Sequence, residues 1–142
     1  MFRTISRIAD RLLPVGTADA HCDIPCGIYD PGDAIQAAQT VIRMTELIEA
    51  MGVPTTVQDH NSFNRYVAVK EEHATKAKND IVIIWTDYFK PEHLAANPEL
   101  HTKVWEACKL GSQVKQHVDM DAAVAFKAAL EEIGAAFAET KK

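Results

Sequence analysis

One short run of this sequence concentrates side chains that bind transition metals. The residues from His21 to Pro31 read His-Cys-Asp-Ile-Pro-Cys-Gly-Ile-Tyr-Asp-Pro, and we call this run the hook. An imidazole and two thiols lie close together in it, and these are ligands that transition metals prefer. The prolines and the glycine of the hook are typical of a tight turn. The turn through Pro25 predicts that the Cys22 and Cys26 sulfur atoms approach one another.

Two ordinary explanations of the hook stay open from the residue types alone. A structural zinc site would use His21, Cys22 and Cys26, but it needs a fourth ligand from a distant part of the chain, and the spacing is poor for zinc. The remaining candidate ligands form no second close pair: His60, His73, His93, His101, His117 and Cys108. A disulfide between Cys22 and Cys26 is feasible, although it would leave His21 and Pro25 without a role.

Residues 1–20 form a leader that we expect to be a propeptide, removed by a processing protease after Ala20. A secretory signal peptide needs an unbroken apolar core of about 7–15 residues, whereas here Arg7, Asp10 and Arg11 interrupt the apolar positions. The run Ala18-Asp19-Ala20 does have the small-x-small form of a cleavage site. We expect a bacterial cytoplasmic protein, with export and organelle targeting as alternative destinations. A plain N-terminal extension stays open as the alternative to a propeptide.

Cleavage after Ala20 would change the chemistry of the hook, because His21 would gain a free α-amine. That amine and the Cys22 backbone nitrogen close one chelate ring, and the same nitrogen and the Cys22 sulfur close a second. Cys26 supplies a fourth corner, and the His21 imidazole can approach as an axial ligand. A planar, nitrogen-rich site favours Ni(II) or Cu(II) over zinc. Anionic thiolate and amidate donors stabilise a higher oxidation state, so the site is suited to one-electron chemistry.

The composition limits the class of protein further. A chain of 142 residues is long enough for one domain, which we place at residues 21–142. The net charge of −5 argues against a nucleic-acid partner, because phosphate binding requires a basic face. The longest apolar run, Ile81–Trp85, is far too short to cross a membrane. The odd count of three cysteines indicates no disulfide framework.

Hydrophobic periodicity after the hook predicts an all-α domain, an antiparallel bundle of about four main helices. Asp30 and Pro31 are typical of a helix N-cap and first helical position, and Gly52 should end that first helix. The other predicted elements are a connector over 53–60, a helix from Ser62 to Asn79, a buried helical segment over 81–89, a helix from Pro98 to about His117, and a last helix capped by Asp119. The helix from Pro98 runs through the apolar residues Leu100, Val104 and Ala107. The last helix has an apolar stripe, which we expect to face the core, formed by Ala123, Phe126, Leu130, Ile133 and Phe137. The 81–89 segment has the composition of a strand, but no partner strand is available, so a helix that ends before Pro91 is predicted.

Two blocks of sequence resemble those of a known family. The hook, His-Cys-Asp-x-Pro-Cys-Gly-x-Tyr-Asp-Pro after a short leader, resembles the nickel hook of nickel-containing superoxide dismutases. A second block, Trp-Thr-Asp-Tyr-Phe-Lys-Pro over 85–91 followed by Asn-Pro-Glu-Leu-His over 97–101, resembles the second signature of the same family. The resemblance extends from His21 to the Glu-Thr-Lys-Lys tail at 139–142.

The resemblance implies an enzyme that disproportionates superoxide to oxygen and hydrogen peroxide by cycling one nickel ion per chain between Ni(II) and Ni(III). It further implies that the nickel ligands are the amine and imidazole of His21, the amide and sulfur of Cys22, and the sulfur of Cys26. The family assembles as a homohexamer of four-helix bundles. Trp85 and Trp105 are then expected to pack in the core or at subunit contacts.

The resemblance also implies roles for residues around the metal. Tyr29 would stand over the vacant axial side, order water and gate access, and Tyr88 would support it. Asp23 and Pro25 would shape the hook. Lys90 would help to hold the hook or guide the anionic substrate.

The sequence departs from the family at two positions beside the metal. Some members use a glutamate and an arginine to orient the axial imidazole, and here Ala37 and His73 stand at those positions. Such partners tune ligand geometry and redox potential. Either His73 takes over this role, or another group, from this chain or a neighbouring subunit, holds the imidazole of His21.

Two other classes of protein compete with the enzyme. A metal chaperone or storage protein could use the same hook, but it would have no need of a tyrosine over the open axial face. A zinc-stabilised helical interaction module would have no redox activity. Metal analysis and a superoxide-consumption assay distinguish all three.

Overall fold

The computed structural model describes residues 27–141, and every regular element within that range is helical. The α-helices in chain order are α1 Gly32–Met51, α2 Val57–Ile83, α3 Pro91–Ala96, α4 Leu100–Gln116 and α5 Met120–Glu139, with one turn of π-helix, Ile84–Tyr88, joined to the end of α2. The predicted all-α class is confirmed. None of the described helices is long and apolar enough to cross a membrane.

Four of the helices form the bundle. Helix α1 packs against α2 and α5, and α4 packs against α2 and α5, so the four long helices close a ring around one core. The core is built from large apolar side chains that are fully buried, chiefly Phe126, Ile81, Ile84, Leu100, Leu130, Ile133, Val41 and Val114. Small alanines on the inner faces of α1 and α2 allow these backbones to approach closely. The predicted antiparallel four-helix bundle is confirmed.

The predicted start of the second helix near Ser62 is wrong. Helix α2 begins at Val57, inside the stretch predicted as a connector. Thr56 accepts a hydrogen bond from the Asp59 backbone N–H at 3.1 Å, and Asp59 accepts one from the Thr56 N–H at 3.0 Å. These reciprocal bonds form a capping box, and the bonds from Thr56 lower the pKa of the Asp59 carboxyl. The Thr-x-x-Asp spacing over residues 56–59 is the sequence signal that marks this helix start, and the prediction did not use it.

The predicted break at Asn79-Asp80 is also wrong, because α2 continues to Ile83. The Asp80 carboxylate accepts a hydrogen bond from Lys76, one turn earlier on the same helix. The aspartate therefore supports the helix as an i,i+4 ion pair and does not end it. The helical assignment of 81–89 is confirmed, since Ile81 and Ile84 are buried in the bundle core and the π-helical turn ends before Pro91.

The last two bundle helices agree closely with the sequence pattern. Helix α4 begins at Leu100, two residues after the predicted start, and Leu100, Val104 and Ala107 are buried as predicted. Asp119 caps α5 by accepting a hydrogen bond from the Ala122 N–H at 2.9 Å. The predicted inner stripe of α5 is buried throughout, at Ala123, Phe126, Leu130, Ile133 and Phe137.

A buried lysine connects α2 to the end of α4. Lys70 is only 2% exposed, and its ammonium donates to the carbonyl of Val114 and to those of Lys115 at 3.2 Å and His117 at 2.9 Å. The last carbonyls of a helix have no partner within the helix. Lys70 supplies that partner, and burial lowers the pKa of its ammonium group.

Replacing this lysine should destabilise the fold without changing its core. We expect Lys70→Met to lower the free energy of unfolding by about 1–3 kcal/mol, because carbonyls at the end of α4 lose their donor. Chemical denaturation measures the change. Lys76→Met is the matched control on the same helix: its ion pairs with Asp80 and Asp33 are partly exposed, so it should cost less than about 1 kcal/mol. Equal losses in the two variants would contradict the role of Lys70.

Candidate metal centre

The predicted metal ligands precede the part of the chain that the structure describes. His21, Cys22 and Cys26 lie outside the described residues, as does Asp23. Within residues 27–141, no group of three or more histidine, cysteine, aspartate or glutamate side chains is placed to hold a metal ion. The described residues thus form no metal centre of their own, and the hook remains the predicted source of the ligands.

The described end of the hook is attached to the bundle at Tyr29. Gly27 has a φ of +97°, a conformation that residues with a side chain rarely adopt. The side chain of Tyr29 is 3% exposed and belongs to the core. One residue later, Asp30 accepts a hydrogen bond from the Gly32 N–H at 2.8 Å, and the Pro31 carbonyl accepts one from Ile35 at 3.1 Å. The N-cap residue is therefore Pro31 and the helix begins at Gly32, so both predicted positions, the cap at Asp30 and the first helical residue at Pro31, are one residue too early.

The ring of Tyr29 packs against a cluster of aromatic side chains. Its centroid lies 5.6 Å from that of Tyr88. Tyr88 in turn lies 4.4 Å from Phe137 and 5.7 Å from His93, with the last pair nearly parallel at 19°. Aromatic pairs at these separations are favourable beyond the apolar area they bury. The cluster joins the hook, the end of the π-helix, α3 and the end of α5.

The π-helical turn sets the direction of Tyr88. The Phe89 N–H donates to the Ile84 carbonyl at 3.3 Å, five residues back, so one more residue is accommodated than in an α-helical turn. The turn shifts the register of the helix and directs Tyr88 towards Tyr29 while Ile84 stays in the core. Pro91 then begins α3. Turns of this kind are frequent at functional sites.

A pocket of about 300 Å³ opens at this end of the bundle. It is lined by Gly27, Tyr29, Asp87, Tyr88, Lys90, His93 and Thr140. The structure therefore brings together three residues that the sequence singled out, Tyr29, Tyr88 and Lys90, immediately beside the first described residue after Cys26. A pocket of this size has room for a small anion and several water molecules.

Two residues from the C-terminal end of the chain also reach the site, and the sequence assigned no role to either. The Tyr88 hydroxyl lies 2.6 Å from the Thr140 hydroxyl, and the Lys141 ammonium donates to the Tyr29 carbonyl at 3.4 Å. The family resemblance extends to this tail but implies no role for it. No spacing in the sequence relates it to Tyr29, because the two residues joined by the second bond are 112 positions apart.

The charges at the pocket are those of Lys90 and Asp87. Lys90 is exposed, and no carboxylate within residues 27–141 forms an ion pair with it. The Asp87 carboxylate accepts a hydrogen bond from the Thr86 hydroxyl at 3.0 Å. His93 accepts a hydrogen bond at Nδ1 from the Lys90 backbone N–H at 3.2 Å, so a neutral His93 carries its proton on Nε2.

The two departures from the family pattern lie on the inner sides of α1 and α2. Ala37 is buried in the core. The Nδ1 atom of His73 lies 2.9 Å from the carbonyl of Val69 on its own helix. One nitrogen of His73 is thus engaged by the backbone, and Nε2 is the atom with which this residue could hold another group.

The donor chemistry of the hook fits nickel. With the His21 α-amine freed by the predicted cleavage, that amine, a backbone amide and two thiolates would offer planar, anionic donors, which Ni(II) prefers over zinc. The described residues agree with this assignment, because a glycine at positive φ turns the chain directly after Cys26 and the buried Tyr29 fixes its exit.

A comparison with known protein families decides the classification. The family model described as nickel-containing superoxide dismutase matches residues 16–141. The chain belongs to this family. Membership confirms the predictions of a nickel cofactor and of superoxide dismutase activity.

Individual nickel superoxide dismutases match over nearly the whole chain. A relative named superoxide dismutase [Ni] from Streptomyces seoulensis is 38% identical over 130 residues, which are 91% of this chain and 94% of the relative. A second relative of the same name, from Streptomyces coelicolor, is 35% identical over 129 residues with the same coverage. The alignment with both relatives includes most of the bundle.

Solved structures of nickel superoxide dismutases share the fold. A native structure matches with a TM-score of 0.75 and 34% identity over 86% of this chain and 100% of that chain. A structure with nickel ligation corresponding to the oxidised state also gives 0.75, at 37% identity over 85% of this chain and 98% of that chain. An apo structure gives 0.72 at 30% identity over 81% and 98%.

The glycine that follows Cys26 should matter to nickel binding. Forcing an alanine into the left-handed conformation costs about 1–2 kcal/mol, so Gly27→Ala should either hold that strain or turn Cys26 away from the other donors. We expect its nickel affinity to fall about five- to thirtyfold, measured by competition with a chelator. Gly52→Ala is the matched control, because Gly52 also has positive φ, at +63°, but follows α1 at a distance from the pocket. An unchanged nickel affinity in Gly27→Ala would show that the turn does not position the donors.

Proposed function

We propose that the processed chain disproportionates superoxide at a nickel ion held by His21, Cys22 and Cys26, with Tyr29, Tyr88 and Lys90 forming the substrate pocket. Two superoxide anions and two protons give one molecule of oxygen and one of hydrogen peroxide. The observation that carries this proposal is the small pocket in which the two tyrosines and the lysine meet beside the end of the hook. Nickel, when bound, supplies a one-electron couple between its divalent and trivalent states.

The hook residues have separate roles in this proposal. When nickel is bound, the α-amine and imidazole of His21, the amide and sulfur of Cys22, and the sulfur of Cys26 would hold it. Asp23 helps to shape the turn between the two cysteines. Coordination by thiolates and an amidate releases protons, so nickel binding should weaken as the pH falls.

The two tyrosines limit what reaches the metal. Tyr29 is buried against the bundle, and its contact with Tyr88 closes one side of the pocket. We propose that superoxide and a water molecule bind in this pocket. We assign Tyr29 to order that water and Tyr88 to support Tyr29. Protons for peroxide formation come from water held at these hydroxyls or from a protonated cysteine sulfur.

Lys90 supplies positive charge at the pocket of a protein whose negative net charge repels the anionic substrate. Removal of residues 1–20 takes away three arginines and two aspartates, which changes the net charge from −5 to −6. A negatively charged protein repels superoxide, and rapid encounter needs a local positive potential at the site. The exposed ammonium of Lys90 at the pocket rim is suited to this task.

The leader and the assembly belong to the same proposal. A propeptide over residues 1–20 would keep the His21 amine blocked until a protease cuts after Ala20, and the mature domain would be residues 21–142. We further propose a homohexamer in the bacterial cytoplasm. Support for assembly comes from Trp105, which is 62% exposed. The prediction that Trp105 packs in the core is therefore wrong. A subunit contact remains its predicted role.

Comparing chains with different N-termini tests the proposal. A chain that begins at His21 should bind one nickel ion and turn over superoxide, as measured by metal analysis and pulse radiolysis or stopped flow. A chain that begins at Ala20 differs by one residue but has no free His21 amine, so its turnover should fall by at least two orders of magnitude. Full activity in the chain that begins at Ala20 would overturn the proposed ligand set.

The salt dependence of the rate tests the role of Lys90. We expect Lys90→Met to lower kcat/KM about three- to tenfold at low ionic strength, with the difference shrinking as salt screens the charge. Lys109→Met is the matched control, because Lys109 lies over the Trp105 ring and does not line the pocket. A loss in Lys90→Met that persists unchanged at high salt would contradict steering.

A further inference from the structure

The C-terminal turn of the chain, Phe137–Lys141, forms part of the pocket wall. Helix α5 ends at Glu139, and the following N–H groups of Thr140 and Lys141 donate back to the carbonyls of Phe137 and Ala138. This tightened turn directs Thr140 into the pocket. The turn is also packed against the aromatic cluster, because the Phe137 ring lies 4.4 Å from the Tyr88 ring.

The direction of the hydrogen bond between Tyr88 and Thr140 follows from counting protons. The Thr140 hydroxyl lies 2.7 Å from the Phe137 carbonyl and donates to it. A threonine hydroxyl has a single proton, so in its 2.6 Å contact with Tyr88 it must accept. Tyr88 is therefore the donor, and its proton is directed at Thr140 and away from the open part of the pocket.

We infer that Thr140 is a positioning residue of the enzyme, which fixes the hydroxyl of Tyr88 and leaves only the lone pairs of that oxygen available to the pocket. This inference rests on the proposed function, in which Tyr88 supports Tyr29. In this arrangement Tyr88 accepts a hydrogen bond from pocket water, and the other hydrogen of that water is free to point at the anion. Without Thr140 the phenol would rotate its proton towards the pocket and compete for the substrate.

A second contact of the same turn acts on Tyr29. The Lys141 ammonium donates to the Tyr29 carbonyl at 3.4 Å and lies 4.4 Å from the centroid of the Phe137 ring. The carbonyl belongs to the residue at which the hook enters the core. The C-terminal turn therefore touches both tyrosines, one through a side chain and one through the backbone.

Removal of the Thr140 hydroxyl tests the inference. Thr140→Val keeps the shape of the side chain, and we expect it to lower kcat about two- to tenfold, the range for the loss of one hydrogen bond, with nickel content unchanged. Thr140→Ser keeps the hydroxyl and should stay within about twofold of the unchanged enzyme. Thr75→Val is the matched control, because the Thr75 hydroxyl bonds only to its own helix, at the Glu71 carbonyl, and its turnover should not change.

Two further measurements separate positioning from a general structural effect. If Thr140 acts through Tyr88, the double variant Tyr88→Phe/Thr140→Val should lose no more turnover than Tyr88→Phe alone. In the metal-free chain, Thr140→Val should shift the aromatic NMR resonances of Tyr88, whereas Thr140→Ser and Thr75→Val should leave them in place. The NMR measurement does not depend on nickel or on activity.

The outcomes distinguish this inference from the proposed function. The inference would be overturned by additive losses of turnover in the double variant, or by Tyr88 resonances that do not shift in Thr140→Val. Neither result would affect superoxide turnover by the unchanged enzyme. Full turnover in Tyr88→Phe would remove the role of Tyr88 and the positioning role with it. If the nickel-loaded, processed chain did not consume superoxide at all, the proposed function would fail, whatever the NMR result.

Discussion

The burial of Tyr29 in the bundle is the contact on which the candidate site depends. The predicted metal donors precede this residue, so a metal ion bound by them is attached to the fold through its ring and backbone. The ring packs on Tyr88, the carbonyl receives a hydrogen bond from Lys141, and the next residues begin α1. A flexible attachment would let the donors move relative to the pocket. A buried aromatic ring prevents this because moving it would expose core surface to water.

The antiparallel topology determines where the pocket forms. The start of α1, the end of α2 and the end of α5 lie at the same end of a four-helix ring, since each helix reverses the direction of the one before. Tyr29, Tyr88 and Thr140 come from these three places and meet in one pocket. The π-helical turn adds the local rotation that brings Tyr88 to the pocket while Ile84 remains in the core. The site is thus built from the ends of rigid elements.

The charge distribution of the molecule is consistent with an anionic substrate, superoxide, that is attracted at the pocket and kept out of the apolar core. The chain is acidic overall, and the exposed Lys90 stands at the rim of a pocket whose inner wall is aromatic. Beside the aromatic rings, the lining includes polar side chains that can bind an anion or water, among them those of His93 and Thr140. The ammonium group of Lys70, a buried cation on α2, lies at the C-terminal end of α4 and is engaged by three carbonyls, which gives it a structural role.

The sequence by itself determined the helical class, the inner stripe of α5 and the family with its nickel cofactor, because these depend on residue type and short spacing. It placed the start of α2 five residues late and ended that helix early, because a capping box with aspartate and an i,i+4 ion pair at Asp80 were not recognised. It also singled out Tyr29, Tyr88 and Lys90 without their geometry. Only the tertiary structure brought Thr140 and Lys141 to these residues, since hydrogen bonds between positions 52 and 112 apart leave no periodic signal in a sequence and arise only when the helices pack.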